Sequence, residues 1–247
     1  MGHLAELDVI IPVYNEGANI LGTLQALQAS VRTSYRVMIC YDRDDDDTLA
    51  ALASASEVER RPVVPVKNEG RGTHGAVMTG LARSAAPYVA VFMADDDFNG
   101  AVLDDMVAQA RAGAEVVCAS RFMPGGCMVG CPWLKALLVR GASLSLRALA
   151  RFPTRDATNG FRLFSRRVIS EIAVESREGF TYSLELTAKA HRLRWKIAEV
   201  PAQWFERTAG TSRFKVLKWL PAYLRWYGYV FATTWLRRGP ATVPMRG

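Results

Sequence analysis

The stretch that most constrains this chain is Tyr88-Val-Ala-Val-Phe-Met-Ala-Asp-Asp-Asp97. Its first six residues are apolar and rich in β-formers, which suits a strand buried on both faces. It then delivers Asp95, Asp96 and Asp97 to its carboxyl end, where neighbouring like charges raise one another's pKa unless a cation neutralises them. Carboxylates on alternate residues, Asp95 and Asp97, suit Mg²⁺ or Mn²⁺ that also takes oxygens from a diphosphate. A solvated acidic turn is the plain rival. An EF-hand fits only in its first half: Met106 stands where the bidentate Glu belongs, and a strand rather than a helix leads in.

The same pattern recurs along the first half. Strands are expected over 7–13, 35–41, 63–66 and 115–119, and helices over 19–30, 48–55, 76–84 and 101–112. Such alternation means an α/β fold with a mostly parallel sheet flanked by helices. Ligands of these sheets bind beyond the carboxyl ends of the strands. Pro12, Tyr14, Glu16, Asp42, Arg71, Gly72 and the acidic triplet all fall on that edge, so four polar loops converge on one crevice. The glycine-rich turn 68–75 lacks the Gly-Lys-[Ser/Thr] of a phosphate loop and the spacing of the dinucleotide fingerprint.

Composition narrows the partners. With 247 residues, half of them apolar, a large core is within reach, and the net charge of +7 comes mostly from Arg and Lys after residue 140. That asymmetry suggests a metal site in front and a surface for a polyanion behind. Nucleic acid is disfavoured because the crevice is lined with acid. Cys40, Cys118, Cys127 and Cys131 lack zinc-type spacing and read as reduced thiols of a cytoplasmic protein, and the first residues show no signal-peptide pattern.

Several motifs, taken in order, carry a resemblance. They are Val9-Ile-Ile-Pro-Val-Tyr-Asn-Glu16, the acidic turn after the second strand, Gly72 to Gly80, the Asp-x-Asp strand end, Ser120-Arg-Phe122, Thr158-Asn-Gly-Phe-Arg162, Tyr182-x-x-Glu185 and Glu199-Val-Pro-Ala-Gln-Trp-Phe-Glu-Arg-Thr-Ala-Gly-Thr-Ser212. The chain resembles family 2 glycosyltransferases of the GT-A fold, and within them the dolichyl- or polyprenyl-phosphate mannosyl and glucosyl synthases. The resemblance implies a GT-A domain over 1–214 and a metal-dependent inverting transfer of a sugar from a nucleotide diphosphate sugar to polyprenyl phosphate. It assigns the donor to Pro12, Tyr14, Glu16, Asp42, Arg71, Gly72, Asp95 and Asp96, and the Mg²⁺ or Mn²⁺ to Asp95 and Asp97. Arg121, Arg162, Asn159, Arg207 and Ser212 are implied to border the acceptor and its phosphates. The family's Asp-Asp-Gly-Ser turn reads Tyr41-Asp42-Arg43-Asp44 here, which leaves the nucleotide base open.

A phosphate acceptor is mostly ionised near neutral pH, with a second pKa of about 6, and needs no general base. An acceptor hydroxyl on a glycan or lipid-linked oligosaccharide would need one, and Asp156 or Glu185 is then the candidate. A non-catalytic membrane-peripheral binding protein is the non-enzymatic alternative.

The C-terminal tail, 215–247, interleaves Trp219, Tyr223, Trp226, Tyr227, Tyr229, Phe231 and Trp235 with Lys218, Arg225, Arg237 and Arg238. Its longest uncharged run is far short of the roughly 20 apolar residues of a bilayer span. An amphipathic helix in the membrane interface fits this pattern, placing the protein at the inner face of the cell membrane; packing on its own core or in a homodimer are the alternatives.

Overall fold

In the computed structural model, which describes residues 5–56, 62–206 and 216–246, the chain alternates strand and helix through its first half. The strands are β1 (Leu7–Pro12), β2 (Tyr35–Tyr41), β3 (Val63–Lys67), β4 (Tyr88–Val91), β5 (Val116–Ser120), β6 (Cys127–Val129), β7 (Arg162–Ser165), β8 (Ile197–Pro201) and β9 (Gln203–Phe205). The helices are α1 (Gly17–Ser30), α2 (Asp47–Ser54), α3 (Gly72–Arg83), α4 (Val102–Arg111), α5 (Trp133–Ala150), α6 (Arg166–Glu171), α7 (Thr181–Arg192) and α8 (Val216–Trp235).

Alternate residues of β1 fill two different cores, as the two-residue period of a strand requires. Leu7, Val9 and Ile11 pack with Ile20, Leu24 and Leu27 of α1 and Leu103, Met106 and Val107 of α4. Ile10 points the other way, towards Val77 and Leu81 of α3 and Tyr182 and Leu186 of α7. A side chain at Gly80 would sit 2.8 Å from Ile10, so α3 lies against β1 only because that position has none.

Seven strands pair in the order β3-β2-β1-β4-β7-β5-β8, with the acidic strand β4 at the centre. Pro65, which cannot complete a ladder, sits in the edge strand β3. All neighbours are parallel except β7, which runs antiparallel to both β4 and β5. This reversal puts the first residue of β7, Arg162, level with Val91 and Cys118 near the carboxyl edge, and with it the turn 156–161. A parallel ribbon of β6 and β9 stands beside the sheet.

The tail helix α8 packs on the protein. Trp226 and Val230 are buried with Leu146 and Ala150 of α5 and Leu184 and Ala188 of α7. Two cations of α7 hold it: Lys189 lies 5.1 Å from the Trp226 ring, and the Arg192 guanidinium 3.3 Å from that of Tyr229. The Trp235 indole donates to the Leu149 carbonyl at 2.9 Å. Most of the aromatic residues assigned to a lipid interface by the sequence pattern are thus turned inward. No helix among the described residues is long and apolar enough to cross a membrane.

Asp8, buried at the start of β1, accepts from Arg36 through both oxygens at 2.8 Å, from the Ser84 hydroxyl at 2.6 Å and from the amides of Ala85 and Ala86. Burial pushes its carboxyl up, but the bonds from Arg36 and Ser84 outweigh burial and hold it below its ordinary value. Its stabilisation is therefore complete above the unfolded pKa, near 4, and is lost as pH falls through the lower folded value. Asp8→Ala should lower stability by about 2–4 kcal/mol in urea titrations at pH 7, and by less at pH 3.

Candidate active site at the carboxyl edge of the sheet

β1 pairs with β2 on one side and β4 on the other, so the loops after these strands are neighbours at one end of the sheet. The first turn is held by the second. Asn15, in the left-handed region at φ 53°, donates its amide to both oxygens of Asp46 at 3.1 Å. The Glu16 amide donates to the Thr48 hydroxyl at 3.0 Å, and the Gly17 amide to Asp47 at 2.9 Å. Asp46 also caps α2 by accepting from the Thr48 amide. This scaffold role of Asp46, Asp47 and Thr48 went unassigned in the sequence, although an Asp just before a helical run is the usual cap signal.

Asp42 accepts from the Gly72 amide at 2.7 Å and from the Asn68 side chain, which fastens the second loop to the glycine-rich turn. Gly72 has φ +66°, a conformation that a side chain would strain. Arg71 is exposed at the N-cap of α3, Pro12 closes β1 opposite Cys40, and Tyr14 stands at the mouth of the crevice, 45% exposed. Tyr14, Asn15, Arg43, Asp45 and Asp46 line a shallow depression there.

The acidic triplet divides by orientation. Asp96 is buried and accepts from the Asn99 amide at 2.9 Å, the Asn99 side chain at 2.7 Å and the Phe98 amide at 3.3 Å. Burial pushes its pKa up to about 6, and the Asn99 bonds only partly offset this. The donor contact expected of Asp96 is therefore corrected: its carboxylate shapes the loop from inside. Asp95 is half-buried and Asp97 exposed.

This donor set fits Mg²⁺ or Mn²⁺. Its oxygens are hard, and no group of three or more His, Cys, Asp or Glu side chains among the described residues makes a closed cage. Such ions are usually held by one or two carboxylates with the remaining positions left to water and phosphate. The Thr23 hydroxyl anchors the strand end by donating to the Ala94 carbonyl at 2.8 Å.

Around the turn before β7 the structure changes several assignments. Arg162 is fully buried, and its guanidinium donates to the carbonyls of Asn159, Ser183, Asp156 and Ala157 at 2.7–3.1 Å and to the Thr187 hydroxyl. It holds α7 to the turn and has no donor edge towards an acceptor phosphate. Glu185 is equally buried, accepting from the amides of Glu175 and Ser176 and from Lys189. Asp156 forms a two-pronged ion pair with Arg121 at 2.6 and 2.9 Å and accepts the Arg121 amide as well. Burial raises the Asp156 carboxyl, but the Arg121 charge outweighs it and holds the group below its ordinary value. Neither Glu185 nor Asp156 is placed to act as a general base. Asn159 also serves the scaffold, donating to the Ala119 carbonyl at 2.9 Å and accepting the Phe161 amide at 3.1 Å.

Arg121 and Arg140 both lean over the Phe122 ring, at 5.2 and 5.5 Å, so two guanidinium groups gather beside the crevice. Arg207 and Ser212 lie outside the described residues. Arg162→Met should cost about 3 kcal/mol or more and lower the melting temperature by roughly 10 °C, because several acceptors lose their donor at once. A raised KM for the acceptor with unchanged melting would instead make it a ligand contact.

Known proteins resemble this chain in sequence and in fold. The model of the family described as glycosyl transferase family 2 matches residues 8–173. Polyprenol monophosphomannose synthase of Mycolicibacterium smegmatis is 28% identical over 232 residues, spanning 85% of each chain. An uncharacterized glycosyltransferase of Mycobacterium tuberculosis is also 28% identical, over 83% of this chain and 88% of that one. Among solved structures, glucosyl-3-phosphoglycerate synthase from Mycobacterium tuberculosis in complex with Mn²⁺, UDP-glucose and phosphoglyceric acid superposes with a TM-score of 0.66 at 17% identity, over 91% of this chain and 80% of that one. The matched stretch runs from β1 through the acidic loop and the turn before β7 to the end of α6, and the chain belongs to glycosyl transferase family 2, making it a glycosyltransferase.

Proposed function

We propose that the protein transfers a sugar, with inversion, from a nucleoside diphosphate sugar to a polyprenyl phosphate at a membrane surface. The observation that carries the donor half is the gathering of the Tyr14–Glu16 turn, Asp42 and the Asp95 to Asp97 loop at the point where strand order reverses, between β1 and β4. The solved relative with Mn²⁺ and UDP-glucose supports a metal-bound diphosphate donor. Asp95 and Asp97 would hold the ion, which supplies charge neutralisation for the departing diphosphate. Pro12, Tyr14, Glu16, Asp42, Arg71 and Gly72 would bind base, ribose and phosphates.

For the acceptor, the engagement of Asp156 and Glu185 favours a nucleophile that brings its own charge. An acceptor phosphate oxygen forms the bond to the anomeric carbon while the bond from that carbon to the diphosphate breaks, and the electron pair leaves with the nucleoside diphosphate. Exposed Arg140, stacked on Phe122 beside the Asp156-bound Arg121, suits the acceptor phosphate. The polyprenol monophosphomannose synthase relative supports the same class.

The surface next to that pair favours a bilayer. Along α5, Trp133, Leu134, Leu137, Leu138, Leu144 and Leu149 are 53–77% exposed. They recur at helical spacing and make one apolar stripe, with Arg140 and Arg147 along its border. An anionic lipid surface covers such a face and meets the flanking cations. The membrane contact expected of the C-terminal aromatic residues therefore moves to α5, with exposed Trp235, bonded to the Leu149 carbonyl, at its end.

With Mn²⁺ present, GDP-mannose or UDP-glucose should raise the melting temperature by several degrees, since a ligand at 100 times its Kd adds about 2.7 kcal/mol. Asp97→Ala or EDTA should abolish the shift; no shift with any nucleotide sugar sinks the donor reading. In flotation with phosphatidylglycerol vesicles, Leu137→Glu/Leu138→Glu should leave about tenfold less protein bound without changing the melting temperature. A wild-type dimer that ignores vesicles would give the face to a second copy of the chain.

A further inference from the structure

The side chain of Asn99 joins two parts of the molecule that are far apart in sequence. It is 2% exposed, and each of its polar atoms is used. Its amide nitrogen donates to Asp96 at 2.7 Å and to the Gln203 carbonyl at 2.8 Å, and its oxygen accepts the Gln203 amide at 2.9 Å. Gln203 offers one backbone donor and one backbone acceptor, and the Asn99 amide, with a donor and an acceptor on one planar group, meets both.

Gln203 begins β9, which pairs with β6 of the glycine- and proline-rich loop 124–132 and leads towards residues 207–215. A second contact runs alongside, as Phe98 and Phe205 meet edge to face at 4.9 Å. The ribbon is also seated on the sheet, where the Ala202 amide donates to the Ser120 carbonyl at 3.0 Å, one residue before Arg121. The loop that ends β4 thus reaches the ribbon, and through it the Arg121 side of the crevice, by way of one buried amide and the Phe98–Phe205 contact.

We propose that Asn99 is a positioning residue that couples the acidic donor loop to the β6–β9 ribbon, so that a nucleotide bound at one side orders the acceptor side. The coupling rests on the donor reading above, whereas the link itself is present without ligand. Two hydrogen bonds of ordinary strength separate a ribbon that stays closed from one that opens about 10- to 100-fold more often. A ligand that fixes the Asp95 to Asp97 segment would limit the motion of Asn99, and with it that of Gln203.

Amide hydrogen exchange over 202–206 tests this, measured without ligand and with Mn²⁺ plus GDP or UDP. The wild-type ribbon should exchange slowly, and more slowly still with the nucleotide that raises its melting temperature. Asn99→Leu, or the smaller Asn99→Ala should the first fail to fold, should exchange about 10- to 100-fold faster there and lose the nucleotide response. Gln203→Ala should behave as wild type, because Asn99 bonds only the backbone at that position. Unchanged exchange in both Asn99 variants overturns the link. Faster exchange that nucleotide still slows by the wild-type factor overturns the coupling and leaves a purely structural pin. Wild-type exchange that ignores a nucleotide which does raise the melting temperature also overturns the coupling, with the donor reading intact. If no nucleotide raises the melting temperature, the donor reading falls, and the coupling with it.

Discussion

The parallel pairing of β1 with β2 on one side and β4 on the other sets the geometry on which the rest depends. It brings two acidic loops, 42–47 and 95–97, to the same end of the sheet at the point where strand order reverses. The alternation of Leu7, Val9 and Ile11 against Ile10 fixes that register, since a slip of one residue would turn each set towards the wrong core. The antiparallel insertion of β7 then adds a third polar segment, the turn around Asp156, to the same edge.

So many carboxylates in one region are tolerated because most of them are committed to the fold. Asp46 and Asp47 accept the amides of the first turn, Asp96 accepts from Asn99 and Phe98, and Asp156 is paired with Arg121. Asp46, Asp96 and Asp156, the buried ones, are satisfied by donors that the surrounding backbone, Asn99 or Arg121 supplies, which lowers the cost of their burial. Asp97 differs in being exposed, and Asp95 is half-buried.

The second half of the chain does a different job with similar residues. Lys189 and Arg192 sit on or beside the aromatic rings of α8 and clamp that helix to α7, while α5 shares the same small core and leaves its other side apolar and exposed. Arg121, just past β5, and Arg140 of α5 meet over the Phe122 ring, which ties this helix to the end of the sheet.

From sequence alone, the α/β class, the order of strands and helices through the first half, and the acidic ends of β2 and β4 were legible, because hydrophobic period and strand-end charge are local properties. The family resemblance was legible for the same reason, being a set of short motifs in order. The roles of Arg162, Glu185, Asp156, Asn159 and Asp96 were not, since a charged or polar residue in a motif looks the same whether it faces a ligand or a buried carbonyl. Nor could the pattern of Tyr223 to Trp235 tell a lipid from a protein partner, as both reward an apolar aromatic face. Only the tertiary structure decides these cases, because a polar group's function follows from which donors and acceptors lie within about 3 Å, and those come from residues distant in the chain.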